Sequence, residues 1–453
     1  MQEFDLIVIG SGSGLDVANY AAQSGLRVAI VEKDRMGGTC LNRGCIPSKL
    51  LIHSADVAET IKNAAQFGIN VNNGISVDFE GIVNRTNGII DSDSDSIMEA
   101  FSEIDNPRLF AAKCSFVGKK TLSVGGETIR ADRILIASGT RPEIPTIKGL
   151  EGTGFLTSDQ ALRLKKQPQV LTIIGGGYIA AELAHFFGSL GTKINIVQRR
   201  DVLLPSEDEE IADKFTEIFS KKYNVYLGYD TESVSRNGDT FTVVSKNHTG
   251  KQIELESDQL LVATGRIPNS DTLDLEKTGV ATDSRGFIVV DEYLETNVKG
   301  VFALGDAVGR YLFKHAANHE AQYAYYNLTH GESKIPVDYT AMPHAIFTSP
   351  QIAGAGYTEQ QLKAEKIHYT KAIYPYIKTA MGEAIEDRDG FVKLLASREG
   401  KILGCHIIGS HASILIHEVL VAMKLGADIR SLARTIHIHP ALSEVVARAA
   451  AEF

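Results

Sequence analysis

The sequence predicts an α/β protein in which one strand–helix–strand module occurs twice and an α+β region follows. The first module contains a buried strand at 6–9, a glycine-rich turn, a helix of small residues and a second strand ending near residue 31. The same order of elements returns between 170 and 197. From about 335 the pattern changes to strands followed by helices. Two Rossmann-like dinucleotide-binding domains and an α+β C-terminal domain therefore fit the chain better than one large domain.

Two similar phrases mark the places where the chain passes between these domains. They are Ile-Ala-Ser-Gly-Thr-Arg-Pro at 136–142 and Val-Ala-Thr-Gly-Arg-Ile-Pro at 262–268, and proline and glycine are typical of such crossings. Earlier in the chain, apolar residues at helical spacing predict helix from about 53 to 104. The predicted segments are 1–146 and 265–335 for the first nucleotide-binding domain, 147–264 for the second, and 336–453 for the C-terminal domain.

Composition and charge exclude several classes of protein. The chain has 453 residues, of which 43% are hydrophobic and 23% charged, and its formal net charge is −10. An acidic chain of this kind is not expected to bind nucleic acid, which requires a basic face. No apolar run reaches the roughly 18 residues of a membrane span, and the N-terminus lacks the basic start of a signal peptide. We therefore expect a cytoplasmic protein without nucleic-acid or membrane partners.

The first glycine-rich turn predicts a binding site for a dinucleotide. Gly10, Gly12 and Gly14 follow the first strand and open a helix, where backbone N–H groups bind a pyrophosphate. Glu32, at the end of the second strand, is placed to accept hydrogen bonds from ribose hydroxyls. Leu15 occupies the third glycine position of the fingerprint, so the packing of helix on strand is expected to be looser. Simple turn chemistry is the alternative interpretation.

The second glycine-rich turn predicts a second nucleotide site and indicates its ligand. Gly175 and Gly177 precede a helix in the same way as the glycines of the first turn. Where an acid would indicate NAD, the sequence has Gln198, Arg199 and Arg200. Arginines at this place neutralise the 2′-phosphate of NADP, so we expect NAD or NADP, with a preference for NADPH. A solvated basic turn is the alternative.

Two of the four cysteines are close together and suit redox chemistry. Cys40 and Cys45 follow the first module, and a helix starting at Cys45, with Pro47 in its first turn, would make the thiol more acidic. A zinc site would need two further ligands nearby, which the sequence lacks, so no metal site is predicted. A structural disulfide is unusual in a cytoplasmic protein. Cys114 and Cys405 lie in apolar contexts and are expected in the core.

A histidine near the C-terminus is the predicted acid–base group. Thiol–disulfide exchange needs a base for the attacking thiol and an acid for the leaving one, and imidazole serves both purposes near neutral pH. A carboxylate beside the ring would fix its tautomer. On this chemistry alone His439 is one of 13 histidines, and a purely structural histidine is the alternative.

The segment Gly-Gly-Thr-Cys-Leu-Asn-Arg-Gly-Cys-Ile-Pro-Ser-Lys at 37–49 resembles the active-site motif of the pyridine nucleotide–disulfide oxidoreductases. The resemblance extends from the two nucleotide loops to the C-terminal His-Pro motif. It implies a reducible Cys40–Cys45 disulfide, with Cys45 beside the flavin of FAD and Cys40 attacking the substrate. It also implies that His439 and Glu444 form the acid–base dyad of the family, which acts on the cysteines of the other subunit. A homodimer with shared active sites is therefore expected.

The same resemblance assigns residues to the two cofactors, FAD and NAD or NADP. It implies an ion pair of Lys49 and Glu182 beside the flavin ring and Tyr178 over the nicotinamide pocket. Asp306 matches the aspartate that binds the FAD ribitol. Further residues expected to contact the cofactors are Thr39, Gly139, Gly265 and Gly305.

Dihydrolipoamide dehydrogenase is the first predicted activity, because the sequence of the 37–49 motif resembles that of this enzyme. The substrate would then be a small-molecule or lipoyl-domain dithiol. The segments 175–185 and 314–320 resemble mycothione reductase instead. The alternative activity is therefore NADPH-dependent reduction of a low-molecular-weight thiol disulfide such as mycothione or glutathione disulfide. Arg43, between the cysteines, is expected to lower a thiol pKa, to meet an acidic substrate or to be solvated. A nucleotide-binding flavoprotein without disulfide turnover is the alternative of another class, and the cysteine pair argues against it.

Overall fold

The computed structural model of the protein describes residues 1–71, 74–331 and 333–453. Its strands form a seven-stranded, a four-stranded and a five-stranded sheet, together with a three-stranded and a two-stranded one. Helices pack on these sheets, so the predicted α/β architecture is confirmed. In the described residues, no helix has the length and apolar character needed to cross a membrane.

The first domain is built around a mainly parallel sheet whose central strand is the N-terminal one. Strand β1 pairs in parallel with β2 on one side and with β6 on the other. Leu6 and Val8 pack in one hydrophobic cluster, whereas Ile7 and Ile9 pack in another, because successive side chains of a strand point to opposite faces. Up to residue 142 the elements are β1 (Gln2–Ile9), α1 (Gly14–Gln23), β2 (Val28–Val31), α2 (Gly38–Arg43), α3 (Cys45–Asn63), a 3-10 helix (Ala64–Phe67), α4 (Phe79–Ser102), β3 (Arg108–Phe110), β4 (Cys114–Gly118), β5 (Thr121–Val124), β6 (Glu127–Ile136) and β7 (Thr140–Pro142).

The second domain repeats the strand–helix–strand module on a smaller scale. Its parallel sheet has the strand order β10-β9-β8-β14, and a three-stranded antiparallel sheet, β11-β12-β13, lies beside it. The elements are α5 (Ser158–Ala161), β8 (Val170–Ile174), α6 (Tyr178–Ser189), β9 (Lys193–Gln198), α7 (Glu209–Lys222), β10 (Asn224–Leu227), β11 (Tyr229–Asn237), β12 (Thr240–Asn247), β13 (Gln252–Ser257), β14 (Gln259–Val262) and β15 (Arg266–Pro268).

The two crossings between these domains lie side by side. Strands β7 and β15 pair antiparallel, with Arg141 opposite Ile267. The chain then returns to the first sheet through β16 (Val301–Ala303), which pairs in parallel with β6. The first domain is therefore formed by two stretches of chain around the second, although the residue limits of the predicted segments stay predictions.

The C-terminal region is an α+β unit with an antiparallel sheet in the order β17-β18-β21-β20-β19. Helices cover one side of this sheet and form a hydrophobic cluster with it. The remaining elements are 3-10 helices at Asn269–Thr272, Leu275–Lys277, Gly305–Ala307 and Tyr376–Lys378, and α8 (Lys314–Thr329), β17 (Pro343–Ile346), β18 (Gln351–Gly356), α9 (Glu359–Ala364), β19 (Thr370–Pro375), α10 (Ala380–Ala384), β20 (Phe391–Ala396), β21 (Ile402–Gly409), α11 (Ala412–Lys424), α12 (Ile429–Arg434) and α13 (Glu444–Ala450).

The helical region predicted from about 53 to 104 is mostly helical, but it is divided into separate elements. Helix α3 ends at Asn63, and after the 3-10 turn Gly68 adopts a left-handed φ of 77°, which breaks the helical path. Helix α4 starts again at Phe79, where the Asp78 carboxylate accepts a hydrogen bond from the Gly81 N–H and caps the new N-terminus. Asn72 and Asn73 lie outside the described residues.

The two cysteines predicted in the core differ in their burial. Cys405 is fully buried on β21, as predicted. Cys114, at the start of β4, is only half-buried: it packs against the core of the first domain, as predicted, but it also lines a large cavity. Burial raises the pKa of Cys114 to about 12, so this thiol stays protonated near neutral pH.

Candidate active site

A cavity of about 1330 Å³ lies at the carboxyl ends of the parallel strands of both nucleotide-type domains. Single small-molecule sites usually have 300–1,000 Å³, so the space exceeds that of one such ligand. Gly14, His439 and Glu444 are the predicted site residues that do not line it. Those that line it are Gly10, Gly12, Glu32, Thr39, Cys40, Cys45, Lys49, Gly139, Gly175, Gly177, Tyr178, Glu182, Arg199, Arg200, Gly265, Gly305 and Asp306.

The first glycine turn has the geometry that a pyrophosphate site requires. Gly10 has a φ of 103°, and a Cβ there would lie 2.3 Å from the Ala137 carbonyl oxygen, so only glycine fits. Gly12 faces open space, and α1 starts two residues later. The Ser11 N–H and hydroxyl donate to one oxygen of Glu32, at 2.9 and 2.7 Å. The turn and the acidic residue are thus held together, with the cavity beyond them.

Gly14 packs the helix on the sheet and does not line the cavity. A Cβ at Gly14 would lie 2.8 Å from Val8 Cγ1 and 3.1 Å from the Ala137 side chain. The close helix–strand packing that the fingerprint assigns to its third glycine is therefore made one position early. The loosening expected from Leu15 does not occur, and a direct cofactor contact by Gly14 is not supported.

The second glycine turn repeats the geometry of the first. Gly175 has a φ of 117°, and a Cβ there would lie 2.3 Å from the Ala263 carbonyl oxygen. Gln198, at the end of β9, is buried and donates through Nε2 to the Val202 carbonyl at 3.3 Å. Arg199 and Arg200 are exposed at the cavity. Neither guanidinium forms an ion pair with any residue in 1–71, 74–331 or 333–453.

The two cysteines lie at a helix start inside the cavity. Helix α3 begins at Cys45, as predicted, with Pro47 in its first turn, while Cys40 belongs to the short helix α2. Both side chains are free thiols in this structure. The hydrogen bond from Cys40 and the charge of Lys49, against the effect of burial, lower the pKa of Cys45 to about 7. The same contact raises the pKa of Cys40, with burial acting in the same direction.

Lys49 and Glu182 form the predicted ion pair next to Cys45. Lys49 Nζ lies 2.8 Å from both oxygens of Glu182 and 4.6 Å from the centre of the Phe347 ring. The Phe347 N–H donates to Glu182 at 3.0 Å. The pair therefore joins α3, α6 and the C-terminal unit at the point where the thiols meet the cavity.

Asp306 is fixed by residues that the sequence reasoning missed. The Thr140 hydroxyl donates to Asp306 at 2.7 Å, and Arg266 Nε donates to Thr140 Oγ1 at 2.8 Å. Gly305, in the same turn, donates its N–H to the buried carboxylate of Glu320 at 2.6 Å. Burial raises the pKa of Asp306. The signal that could have revealed Thr140 and Arg266 is their place in the two similar crossing phrases.

Arg43 is engaged by acidic neighbours on the cavity side. Its guanidinium forms an ion pair with Asp34 and lies 3.9 Å from Asp159. Burial raises the pKa of Asp159. Arg43 therefore has partners of its own and lines the cavity, and this geometry does not support the proposed contact with an acidic substrate.

His439 and Glu444 form a pair outside the cavity. His439 Nδ1 lies 3.1 Å from each carboxylate oxygen, and the side chain of His439 is 71% exposed. Hydrogen bonding to His439 lowers the pKa of Glu444. The neighbouring Ile436 and Ile438 are 96% and 80% exposed. Within one chain the structure brings the histidine to its carboxylate but not to the thiols.

Comparisons with known proteins match the whole chain. The family model for pyridine nucleotide-disulphide oxidoreductase matches residues 4–322, and the model for the dimerisation domain of that family matches 342–450. The mycothione reductase of Mycobacterium tuberculosis is 38% identical over 463 residues, with 99% of each chain covered. The dihydrolipoyl dehydrogenase of Chlamydia muridarum is 34% identical, with 99% of this chain and 96% of that one covered. The copper(II) complex of the HOCl-induced flavoprotein disulfide reductase RclA from Escherichia coli has a TM-score of 0.88 at 27% identity, and 100% of both chains is covered.

Proposed function

Because the chain belongs to the pyridine nucleotide-disulphide oxidoreductase family, we propose that it is an FAD-dependent enzyme whose Cys40–Cys45 pair exchanges electrons with a thiol–disulfide substrate. Members of the family use FAD and NAD(P)H. Bound FAD supplies a two-electron relay between the nicotinamide and the cysteine pair. The neighbouring arrangement of the acidified Cys45 thiol, the Lys49–Glu182 pair and the large cavity supports this function most directly.

The two glycine turns are assigned to the two dinucleotides. The first turn has the open backbone at Gly12 and the acidic Glu32 that suit the pyrophosphate and ribose of FAD. Asp306, anchored by Thr140, is assigned to the FAD ribitol. The second turn is assigned to the nicotinamide nucleotide.

The thiols divide the exchange chemistry between them. Cys40 attacks one sulfur of the substrate disulfide, forms a mixed disulfide and releases the first substrate thiolate. Cys45 then attacks the Cys40 sulfur, re-forms the Cys40–Cys45 disulfide and releases the second substrate thiolate. Two electrons leave the cysteine pair, and the two released thiolates each take up one proton. With a dithiol as the substrate, the same steps run in reverse.

A second copy of the chain is proposed to supply the proton carrier. Cys40 needs a base because the contact with Cys45 raises its pKa. His439 of the same chain lies outside the cavity. Its Nδ1 is held by Glu444, so its Nε2 is available for proton transfer. The exposed apolar residues beside His439 and the matched dimerisation domain support a homodimer in which this imidazole faces the thiols of the partner.

NADPH is the proposed nucleotide, and a low-molecular-weight thiol disulfide is the proposed substrate. Gln198 is neutral and buried, and the exposed guanidinium groups of Arg199 and Arg200 are available to a 2′-phosphate. A supply of electrons from NADPH favours reduction of a disulfide, the activity that the mycothione reductase relative is named for. Dihydrolipoamide oxidation, the first prediction from the sequence, stays the second candidate because the 37–49 motif and the dihydrolipoyl dehydrogenase relatives favour it.

Steady-state kinetics distinguish the two substrates. We would measure kcat/KM for lipoamide, dihydrolipoamide, and the disulfides of glutathione, cysteine and mycothiol, each with NADH and with NADPH or their oxidised forms. We expect the highest kcat/KM for one of the thiol disulfides with NADPH. A higher value for dihydrolipoamide with NAD⁺ would overturn the proposed substrate and restore the second candidate. Absence of turnover with every pair would favour a flavoprotein that only binds nucleotides.

A further inference from the structure

A buried carboxylate holds the tyrosine that lines the cavity at the second glycine turn. Glu207, in the loop before α7, is 2% exposed. Its Oε1 accepts a hydrogen bond from the Tyr178 hydroxyl at 2.6 Å, and its Oε2 lies 2.7 Å from His344 Nε2. Burial pushes the pKa of Glu207 upwards, but the hydrogen bond and charge of His344 hold it below its ordinary value. Glu207 is thus a buried anion with two dedicated partners, which is the usual condition for tolerating such a charge.

The Tyr178 ring is held on several sides. The ring stacks on Phe313, with the ring centres 6.2 Å apart and the planes 15° apart. The Ser206 hydroxyl lies 3.2 Å from the tyrosine oxygen. Burial, with the charge of Glu207, raises the pKa of Tyr178, so the phenol stays a hydrogen-bond donor. Tyr178 and Phe313 both line the cavity, between the second glycine turn and the Lys49–Glu182 pair.

The position of Glu207 is set by the C-terminal unit. His344 belongs to β17, and Gln360 of α9 donates to the Glu207 carbonyl at 2.7 Å. The next residue, Asp208, accepts from the Glu359 N–H at 2.9 Å and from the buried Lys393 ammonium at 2.7 Å. The loop that carries Glu207 is therefore fixed to the C-terminal unit by four short contacts, of which those of Asp208 are buried.

We propose that Glu207 is a positioning residue that, braced by His344, holds the Tyr178 ring across the nicotinamide part of the cavity. The inference rests on the proposed nucleotide site at the second glycine turn. A nicotinamide ring must displace Tyr178 to approach the flavin, and displacement breaks the charge-assisted hydrogen bond to Glu207. The C-terminal unit, which fixes the loop of Glu207, thereby sets part of the affinity for the nucleotide.

Nucleotide binding without turnover tests this role. We would titrate NADP⁺ and NAD⁺ onto the oxidised holoenzyme by isothermal titration calorimetry, for the wild type and for Glu207→Leu, Tyr178→Phe and the double variant. Both single variants are expected to bind the nucleotide about tenfold more tightly, because the ring leaves without breaking a hydrogen bond to a charged group. The double variant is expected to match the single ones, since each removes the same contact. Glu209→Leu, which removes an exposed carboxylate two residues away, is the control and is expected to bind like the wild type.

Two further measurements separate positioning from general damage. Glu207→Gln keeps one oxygen for Tyr178 and is expected to lie between the wild type and Glu207→Leu. Oxidation of NADPH by oxygen without disulfide substrate is expected to rise several-fold in Tyr178→Phe and Glu207→Leu, because a mobile ring covers the flavin less well.

Unchanged or weaker nucleotide binding in both single variants, or additive effects in the double variant, would overturn the proposal. If Glu207→Leu loses FAD or unfolds at lower temperature, Tyr178→Phe alone decides the question. Failure of the NADPH preference would show in the wild-type ratio of NADP⁺ to NAD⁺ affinity, whereas failure of this inference would show in the ratio of variant to wild type.

Discussion

The imidazole of His439 is bound through Nδ1 to both carboxylate oxygens of Glu444, each at 3.1 Å. A carboxylate on Nδ1 fixes the ring orientation and its tautomer, while Nε2 stays available. His437, two residues earlier, is engaged at both nitrogens: Nδ1 lies 2.9 Å from the Thr435 carbonyl oxygen and Nε2 lies 2.8 Å from Glu418. Of these two histidines, only His439 keeps a ring nitrogen, Nε2, without a hydrogen-bond partner among the residues that the structure describes.

That difference predicts the effect of removing each histidine. His439→Ala is expected to lower the rate of disulfide reduction by about 10²–10⁴-fold, the contribution typical of general acid–base catalysis. Flavin reduction by the nucleotide, followed by stopped-flow absorbance, is expected to stay close to the wild-type rate. His437→Ala is the control and should retain most of the disulfide activity. Equal loss of both half-reactions in His439→Ala would contradict the assignment.

The acidified Cys45 thiol predicts a titration near neutral pH. Because its pKa is lowered to about 7, the thiolate of the reduced enzyme should predominate above this pH and disappear as the pH falls below it. Alkylation of Cys45 in the reduced protein, followed by mass spectrometry of its peptide, should rise with a midpoint near 7. Lys49→Met is expected to move the midpoint to higher pH because a stabilising positive charge is lost. Lys49→Met combined with Glu182→Gln should move it less, since the unpaired carboxylate is also removed.

The residues at the end of β9 predict the nucleotide preference. Arg199→Ala with Arg200→Ala is expected to lower kcat/KM for NADPH by about 10–100-fold, the net effect of losing one hydrogen bond to a charged group, which contributes roughly 1.5–3 kcal/mol. The value for NADH should change little, since it has no 2′-phosphate. Gln198→Glu should additionally raise the value for NADH by offering an acceptor to the ribose hydroxyls. Equal effects on both nucleotides would indicate a solvated basic turn instead.

The exposed apolar residues beside His439 predict a dimer that a charge would break. Ile438→Lys places an ammonium where 80% of the isoleucine is exposed in the single chain. If this surface is buried against a second copy, the variant should become monomeric in light scattering and lose disulfide reduction, while flavin reduction persists. Val289→Lys, at a 48% exposed valine of the first domain, is the matched control and should stay dimeric. A dimeric and fully active Ile438→Lys would contradict the shared active site.

The backbone at Gly10 predicts a glycine requirement for FAD retention. Gly10→Ala introduces a Cβ 2.3 Å from the Ala137 carbonyl oxygen at a left-handed φ of 103°. We expect a loss of about 1–3 kcal/mol in stability, the usual range for forced backbone strain, and a lower flavin content by absorbance. Gly88→Ala, in α4 with open space around it, should instead raise stability by about 0.5–1 kcal/mol. Full flavin content in Gly10→Ala would argue against the assigned pyrophosphate site.

Much of this architecture could be predicted because it depends on local signals. Buried strands, glycine turns and a helix start at Cys45 follow from hydrophobic periodicity and backbone chemistry, and the repeat of one module gave the two-domain plan. The break between α3 and α4 was missed because Gly68 and the Asp78 cap lie within a region whose apolar spacing continues to look helical. Periodicity over a short gap does not reveal a left-handed residue.

The parts of the site that were missed depend on contacts between distant segments. Glu207 lies in an acidic run, a pattern that is typical of a solvated surface. It is nevertheless buried, because Tyr178 and His344, from two other elements, contact its carboxylate. Arg266 became part of the site through a contact with Thr140 across the two-stranded sheet. Gly14 could be assigned to packing only when its distance to Val8 was known. Each of these depends on tertiary distances that no spacing along the chain encodes.

Because β7 pairs with β15, the chain enters and leaves the second domain through two neighbouring strands. In this two-stranded sheet Arg141 lies opposite Ile267. The chain leaves the first sheet after β6, before this pair of strands, and returns to it with β16 afterwards. A second domain from a relative with another nucleotide preference could therefore be grafted between these strands, with both junctions in the same two-stranded sheet. The thiols, the first glycine turn and the His439 segment would stay on the recipient chain. Such a chimera would exchange the electron donor of the enzyme without altering the residues that meet its disulfide.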